Sequence, residues 1–119
     1  MDGKLQDSEL KVMGVVWREG EATAQHVAEV LAAEVGWNRN TTYTLLKRCI
    51  QKGAVERLEP NFRCRPLVDR EAVQAAETGE LVDKLFDGSR DKLFASLLGK
   101  KRLSAQQIER LKEIVREWE

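Results

Sequence analysis

The sequence predicts a mainly α-helical chain with one small β-hairpin, in two parts, residues 1–68 and 69–119. Three observations predict this. Apolar residues recur at helical spacing in three segments before residue 53 and in three more after residue 70. Between the two groups, Val55-Glu56-Arg57-Leu58 and Phe62-Arg63-Cys64-Arg65 read as short strands around the turn residues Glu59-Pro60-Asn61. Pro66 and Asp69 then mark a boundary, after which the pattern is helical only.

The first helix is expected over residues 8–18, where Leu10, Met13 and Trp17 form a stripe widened by Val12 and Val16. Asp7 or Ser8 caps its start, because the free N–H groups there need an acceptor, and Gly20 ends it. Thr23 caps the second helix, residues 24–34, with Val27, Val30 and Leu31 on its apolar edge and Gly36 as its stop. The third starts near Asn38 or Asn40 and ends at Gly53. Thr42, Leu45, Leu46, Cys49 and Ile50 share one of its faces; Asn40, Thr41, Thr44, Lys47, Arg48 and Gln51 share the other. The hairpin must lean on these helices, since two strands alone are marginal in water.

In the second part a helix is expected over residues 70–86, carrying Val73, Ala76, Val82, Leu85 and Phe86. Asp87-Gly88-Ser89 breaks it before a short helix over Arg90–Leu98 with Leu93, Phe94, Leu97 and Leu98. Ser104 and Gln107 form a capping box that opens the last helix. Its Ile108, Leu111, Val115 and Trp118 follow a coiled-coil-like spacing. So short a segment rarely buries enough apolar surface alone. Its seam calls for a partner, and a second copy of the same segment is the simplest one. The expected dimer interface is Val82, Leu85, Phe86, Leu93, Phe94, Leu97, Ile108, Leu111, Val115 and Trp118. Folding of these helices back onto the first part is the other arrangement.

Bulk properties remove several classes of function. No run approaches the roughly 18 apolar residues of a membrane span. Residues 1–5 lack the apolar core of a signal peptide, so the cytoplasm is the expected compartment. Cys49 and Cys64 are far apart and His26 stands alone, so neither a disulfide scaffold nor a metal site is expected, and no cofactor is. No GxSxG, P-loop, HExxH or dinucleotide turn occurs, and an enzyme is not expected.

The formal net charge is zero, yet its distribution is uneven. Residues 36–53 carry Arg39, Lys47, Arg48 and Lys52 and no acid, whereas residues 1–35 carry an excess of acids. Three helices followed by a hairpin, with the third helix basic on its polar face, is the order of a winged helix-turn-helix. In that fold the third helix enters the major groove of double-stranded DNA. Asn40, Thr41, Tyr43, Thr44 and Arg48 are the expected base-reading residues, with Tyr43 alternatively stacking against the wing. Thr23, Arg39, Lys47 and Lys52 are expected at phosphates, with Arg63 and Arg65 on the wing. Two alternatives stand beside a repressor: a winged helix that binds a protein, and a thiol- or ligand-responsive regulator using Cys49 and Cys64.

The chain also resembles the penicillinase-repressor family (BlaI/MecI/CopY type). The resemblance rests on Asp7-Ser8-Glu9-Leu10 with Val12-Met13 and Val16-Trp17, on Ala22-Thr23-Ala24, and on Gly36-Trp37 before the stretch from Asn40 to Arg48. It continues through Lys52-Gly53-Ala54-Val55, Pro66-Leu67-Val68, Phe86-Asp87-Gly88-Ser89 and Leu103-Ser104. It implies a dimeric repressor of palindromic operators, read by residues 40–48 and dimerised through the last three helices. In the β-lactam branch a sensor protease is a partner that cuts near the end of the fifth helix; the corresponding stretch here, residues 96–99, lacks the asparagine-phenylalanine pair expected there, which leaves that mode of release open. The copper-responsive branch carries a C-terminal cysteine cluster; this chain has no cysteine after Cys64, so that mode of sensing is not expected.

Overall fold

A computed structural model describes residues 3–99 and 103–118. The elements are α1 (Asp7–Glu19), β1 (Ala22–Thr23), α2 (Ala24–Val35), α3 (Arg39–Gln51), β2 (Val55–Leu58), β3 (Arg63–Pro66), α4 (Arg70–Leu85), α5 (Arg90–Leu98) and α6 (Ala105–Trp118). The chain is mainly helical with one small antiparallel sheet, as the sequence predicts. The Lys100-Lys101-Arg102 connector lies outside the described residues.

Capping chemistry sets the helix bounds. The backbone N–H of Gln6 donates to Glu9 Oε1 at 2.7 Å, so α1 is capped one residue before the expected Asp7 or Ser8. Thr23 Oγ1 accepts from His26 N at 3.1 Å to open α2. Asn38, and not Asn40, caps α3, its Oδ1 accepting from Thr41 N at 2.9 Å. Gly36 ends α2 in the left-handed conformation, φ 73°, which costs a residue with a Cβ far more. Ser104 and Gln107 form the expected reciprocal box, at 2.8 and 3.1 Å.

The sheet has a strand that the sequence pattern does not show. β1 pairs with β3, Ala22 opposite Cys64 and Thr23 opposite Arg63, giving the order β1-β3-β2. Ala24 N also donates to Phe62 O at 2.9 Å. The hairpin is thus stitched to the start of α2. β3 begins one residue later than expected, because Phe62 belongs to the turn with φ 48°.

The chain divides into two compact units between Val73 and Gln74, inside α4. In the first unit α1, α2, α3 and the strands enclose Val12, Met13, Val15, Val16, Val27, Leu31, Leu46, Val55 and Cys64, all at most 2 % exposed. Each large aliphatic side chain removed from water in this way contributes about 1.5–3 kcal/mol. Trp17 lies at the edge, its Nε1 donating to Val68 O at 2.9 Å, and Val73 packs against the same core. This packing carries the first unit five residues past the expected boundary at residue 68.

One carboxylate is sealed into the first unit. The Glu9 side chain is 2 % exposed, and its Oε1 lies 2.6 Å from Lys52 Nζ. Lys52 Nζ also donates to Lys4 O at 2.7 Å. Burial pushes the Glu9 carboxyl up, but the Gln6 N–H and the Lys52 ammonium more than reverse this and hold it below its ordinary value.

In the second unit Val82 is the only buried residue among those described. Leu81, Leu85, Phe94, Leu97, Leu98, Val115 and Trp118 are exposed. A hollow of about 550 Å³ runs between α5 and α6, walled by Phe94, Leu98, Ile108, Leu111 and Val115 and edged by Lys112 and Arg116. No helix among the described residues is long and apolar enough to cross a membrane.

Candidate nucleic-acid interface

α3 is oriented by its apolar face. Thr42, Leu45, Leu46 and Cys49 are buried, so Asn40, Thr41, Thr44, Lys47, Arg48 and Gln51 on the opposite face are exposed. Among the described residues, no hydrogen bond or ion pair holds the side chains of Asn40, Thr44, Lys47 or Arg48. The first half of the helix borders an open hollow of about 510 Å³, lined by Trp37, Asn38, Asn40, Thr41, Thr44, Leu45 and Arg48 and by Ser8 from α1. Polar groups of both donor and acceptor type, with the Arg48 guanidinium, thus converge on one concave patch. Ser8 was expected only as a helix cap; nothing in its linear neighbourhood places it beside α3.

Tyr43 leaves this patch and turns to the wing, one of the two arrangements open from sequence. Its ring meets Phe62 edge-on, centroids 5.8 Å apart at 89°. Its hydroxyl accepts from Arg39 Nη2 at 3.0 Å, and the Arg39 guanidinium lies 5.0 Å from its ring centre. Tyr43 therefore fixes the wing against α3, and Arg39 is steadied on it.

Lys52 departs from the phosphate-facing set. It is committed inward to Glu9, because a desolvated carboxylate without a counter-charge would be costly. Thr23 Oγ1 caps α2, whose Ala24 N–H is already taken by Phe62 O. On the wing, Arg63 donates to Glu21 Oε2 at 3.1 Å and to the carbonyls of Glu59 and Pro60 at 3.1 and 3.3 Å. Arg65 donates to Glu56 Oε2 at 2.6 Å. The sequence reading passed over Arg57, whose guanidinium lies 3.7 Å from the centre of the Phe62 ring and whose Nε donates to Glu59 at 2.6 Å. Lys47 is exposed, as expected of a phosphate contact.

The expected dimer residues divide by exposure. Leu85, Phe94, Leu97, Val115 and Trp118 are open to solvent, while Phe86, Leu93, Ile108 and Leu111 are half-buried. Val82 is 2 % exposed in the single chain and has no surface to offer a partner.

Both thiols are buried, and burial pushes Cys49 up to about 12 and Cys64 up to about 11. Neither is poised to ionise near neutrality, which disfavours a thiol-responsive switch. His26 Nε2 lies 3.1 Å from Glu19 Oε1 at the start of α2. No group of three or more metal-ligating side chains comes together among the described residues.

Comparison with known proteins places this geometry in a family. A family model described as "Penicillinase repressor" matches residues 5–117. The methicillin resistance regulatory protein MecI of Staphylococcus aureus is 27% identical over 120 residues, covering 97% of this chain and 98% of the relative. The penicillinase repressor of Bacillus licheniformis is 25% identical over 116 residues, 96% of this chain and 91% of the relative. The structure of the monomeric form of Bacillus licheniformis BlaI, solved in complex with the blaP half-operator, superposes with a TM-score of 0.52 at 29% identity. It covers 60% of this chain and 89% of the other.

Proposed function

Because the chain belongs to the penicillinase repressor family, we propose that it binds a palindromic operator as a homodimer, one α3 in each half-site. The chain is a DNA-binding transcriptional repressor. The observation that carries the finer reading is the exposed, acid-free face of α3, whose Asn40, Thr44, Lys47 and Arg48 have no partner among the described residues.

Asn40, Thr41, Thr44 and Arg48 read base edges. Amide and guanidinium groups pair in bidentate fashion with adenine and guanine, and threonine methyls meet thymine methyls. Lys47 and Arg39 neutralise phosphates and set register. The region from residue 69 onward is the dimerising part, through Leu85, Phe94, Leu97, Leu111, Val115 and Trp118. Exposed apolar side chains this many and this close need cover. A half-operator bound by a relative's monomeric form fits an operator of two halves. A protein target for α3 is disfavoured, because its exposed face bears no large apolar anchor once Tyr43 is packed on Phe62. Working on DNA, the repressor acts in the cytoplasm. Inactivation by a sensor protease near residues 96–99 fits the exposed Leu98 at the end of α5.

Footprinting on the DNA upstream of the chain's own gene tests this. The expected result is two protected half-sites, their centres one helical turn or a multiple of it apart. A single protected half-site with no symmetric mate contradicts the dimer, and no sequence-dependent protection there contradicts an operator at that position.

A further inference from the structure

Every arginine of the wing is held by a carboxylate. Arg57 is paired with Glu59 at 2.6 Å, Arg65 with Glu56 at 2.6 Å, and Arg63 with Glu21 at 3.1 Å. The three pairs are built in different ways. Glu56 and Arg65 face each other in the β2–β3 register. Glu59 sits two residues beyond Arg57 and also accepts from Phe62 N at 3.3 Å, so it is fixed by the turn. Glu21 reaches Arg63 from the segment that leads into β1. Arg57 holds the Glu59 carboxyl below its ordinary value, and Glu56 raises the Arg65 guanidinium, so both pairs stay ionised at neutral pH. On α3, by contrast, Lys47 and Arg48 have no such partner among the described residues.

A carboxylate and a phosphate compete for the same face of a guanidinium, because both offer two oxygens to its fork of N–H donors. We propose that Glu21, Glu56 and Glu59 limit the wing's affinity for DNA, each holding an arginine that meets phosphate only by exchanging its partner. The proposal rests on the DNA-binding reading above. Exposed ion pairs of this kind are weak, so the exchange is accessible. The displaced carboxylate stays beside the phosphate and repels it, and an arginine already neutralised contributes less to counterion release. Affinity for arbitrary sequence is thereby kept low, and tight binding is left to sites that the α3 side chains fit.

The test is fluorescence anisotropy of the full chain with a short fluorescein-labelled duplex of random sequence, across a salt series. Glu21→Gln, Glu56→Gln and Glu59→Gln keep side-chain size, Glu56 being half-buried and the other two exposed, and thermal melts check that each variant folds. Each is expected to tighten binding roughly two- to five-fold, and to steepen the slope of log K against log salt by up to about one per released arginine. Glu34→Gln is the control: it removes the same charge from a carboxylate that pairs with Arg18 at 3.0 Å and with no wing arginine. Wing variants that bind no tighter than the parent overturn the proposal, and so does an equal gain in Glu34→Gln. In a Glu56→Gln background, Arg65→Gln is expected to abolish the gain; a gain that survives without Arg65 overturns it too. If neither the parent nor any variant binds DNA under any salt condition, the DNA-binding reading itself fails. If the parent binds and only the glutamine variants are inert, this proposal alone fails.

Discussion

In the first unit Val12, Met13, Val16, Val27 and Leu46 are wholly out of water; in the second, Trp118 is 86 % exposed and Leu85 64 %. Both units are built from amphipathic helices, so the difference is not one of composition. α1, α2, α3 and the sheet give one another their apolar faces. All the extensive contacts between elements among the described residues lie in that unit. The faces of α4, α5 and α6 carry Leu85, Phe94, Leu97 and Val115 into solvent. The first unit is a finished fold, and the second leaves its apolar faces uncovered in the single chain. The same contrast recurs in charge. On α3, Lys47 and Arg48 have no ion-pair partner among the described residues, whereas the wing arginines are already paired.

Six substitutions break or sharpen this comparison. The largest expected effect is Leu111→Asp in α6. It should leave the first unit folded, convert the proposed dimer to monomer by sedimentation, and lower operator affinity roughly a hundredfold through loss of the linked second half-site. A variant that remains dimeric would move the interface away from α6. In the parent chain, Trp118 emission should shift to the blue as concentration rises through the dimer equilibrium; emission that stays put would leave Trp118 outside the contact.

Next comes Lys52→Met in the first unit. It strands the Glu9 carboxylate and should cost about 3 kcal/mol in urea unfolding. A loss below about 0.5 kcal/mol would mean that the pair behaves as a surface contact. The pH dependence has a definite sign. The folded Glu9 carboxyl is held below its ordinary value of 4.5, so its contribution is present above that value and is lost as the pH falls through the lower folded value. Glu9→Gln should flatten that part of the acid limb in a melting-temperature titration.

Arg48→Ala should cost about 1–3 kcal/mol of discrimination between operator and shuffled DNA. Lys47→Ala should weaken both alike and reduce the salt slope by about 0.9. Equal behaviour of the two variants would erase the division between base-reading and phosphate-binding residues. The smallest effect is Thr42→Val. Its hydroxyl is buried with no hydrogen-bond partner among the described residues, so the substitution should be neutral or stabilise by up to about 1 kcal/mol. Destabilisation would point to a bond that the hydroxyl does make.

The helices and the hairpin were legible because their signals are local. Apolar periodicity, Thr23, Asn38 and Ser104 as caps, and the Glu59-Pro60-Asn61 turn all lie within a few residues of what they control. β1 was not legible: two residues have no period, and Ala22-Thr23 become a strand only because β3 lies alongside. The exposed face of α3 could be read from spacing, since burial of Leu45, Leu46 and Cys49 fixes what points away. The charge partners could not. Lys52 looks like any basic residue after a recognition helix until Glu9, from the start of α1, is brought beneath it. Arg63 looks free until Glu21 reaches it across the sheet. Partners distant in sequence decide which cations are available, and a linear charge pattern carries no record of them.

The central claim is that an acid-free helix face, presented by a dimer, reads a specific DNA sequence. Fluorescence anisotropy of the full chain, with the duplex upstream of its own gene and with a shuffled duplex at two salt concentrations, tests it most directly. The expected result is tighter binding to the native duplex at both concentrations, with affinity for both duplexes falling as salt rises. Equal affinity for native and shuffled DNA, or affinity that salt leaves unchanged, would contradict it.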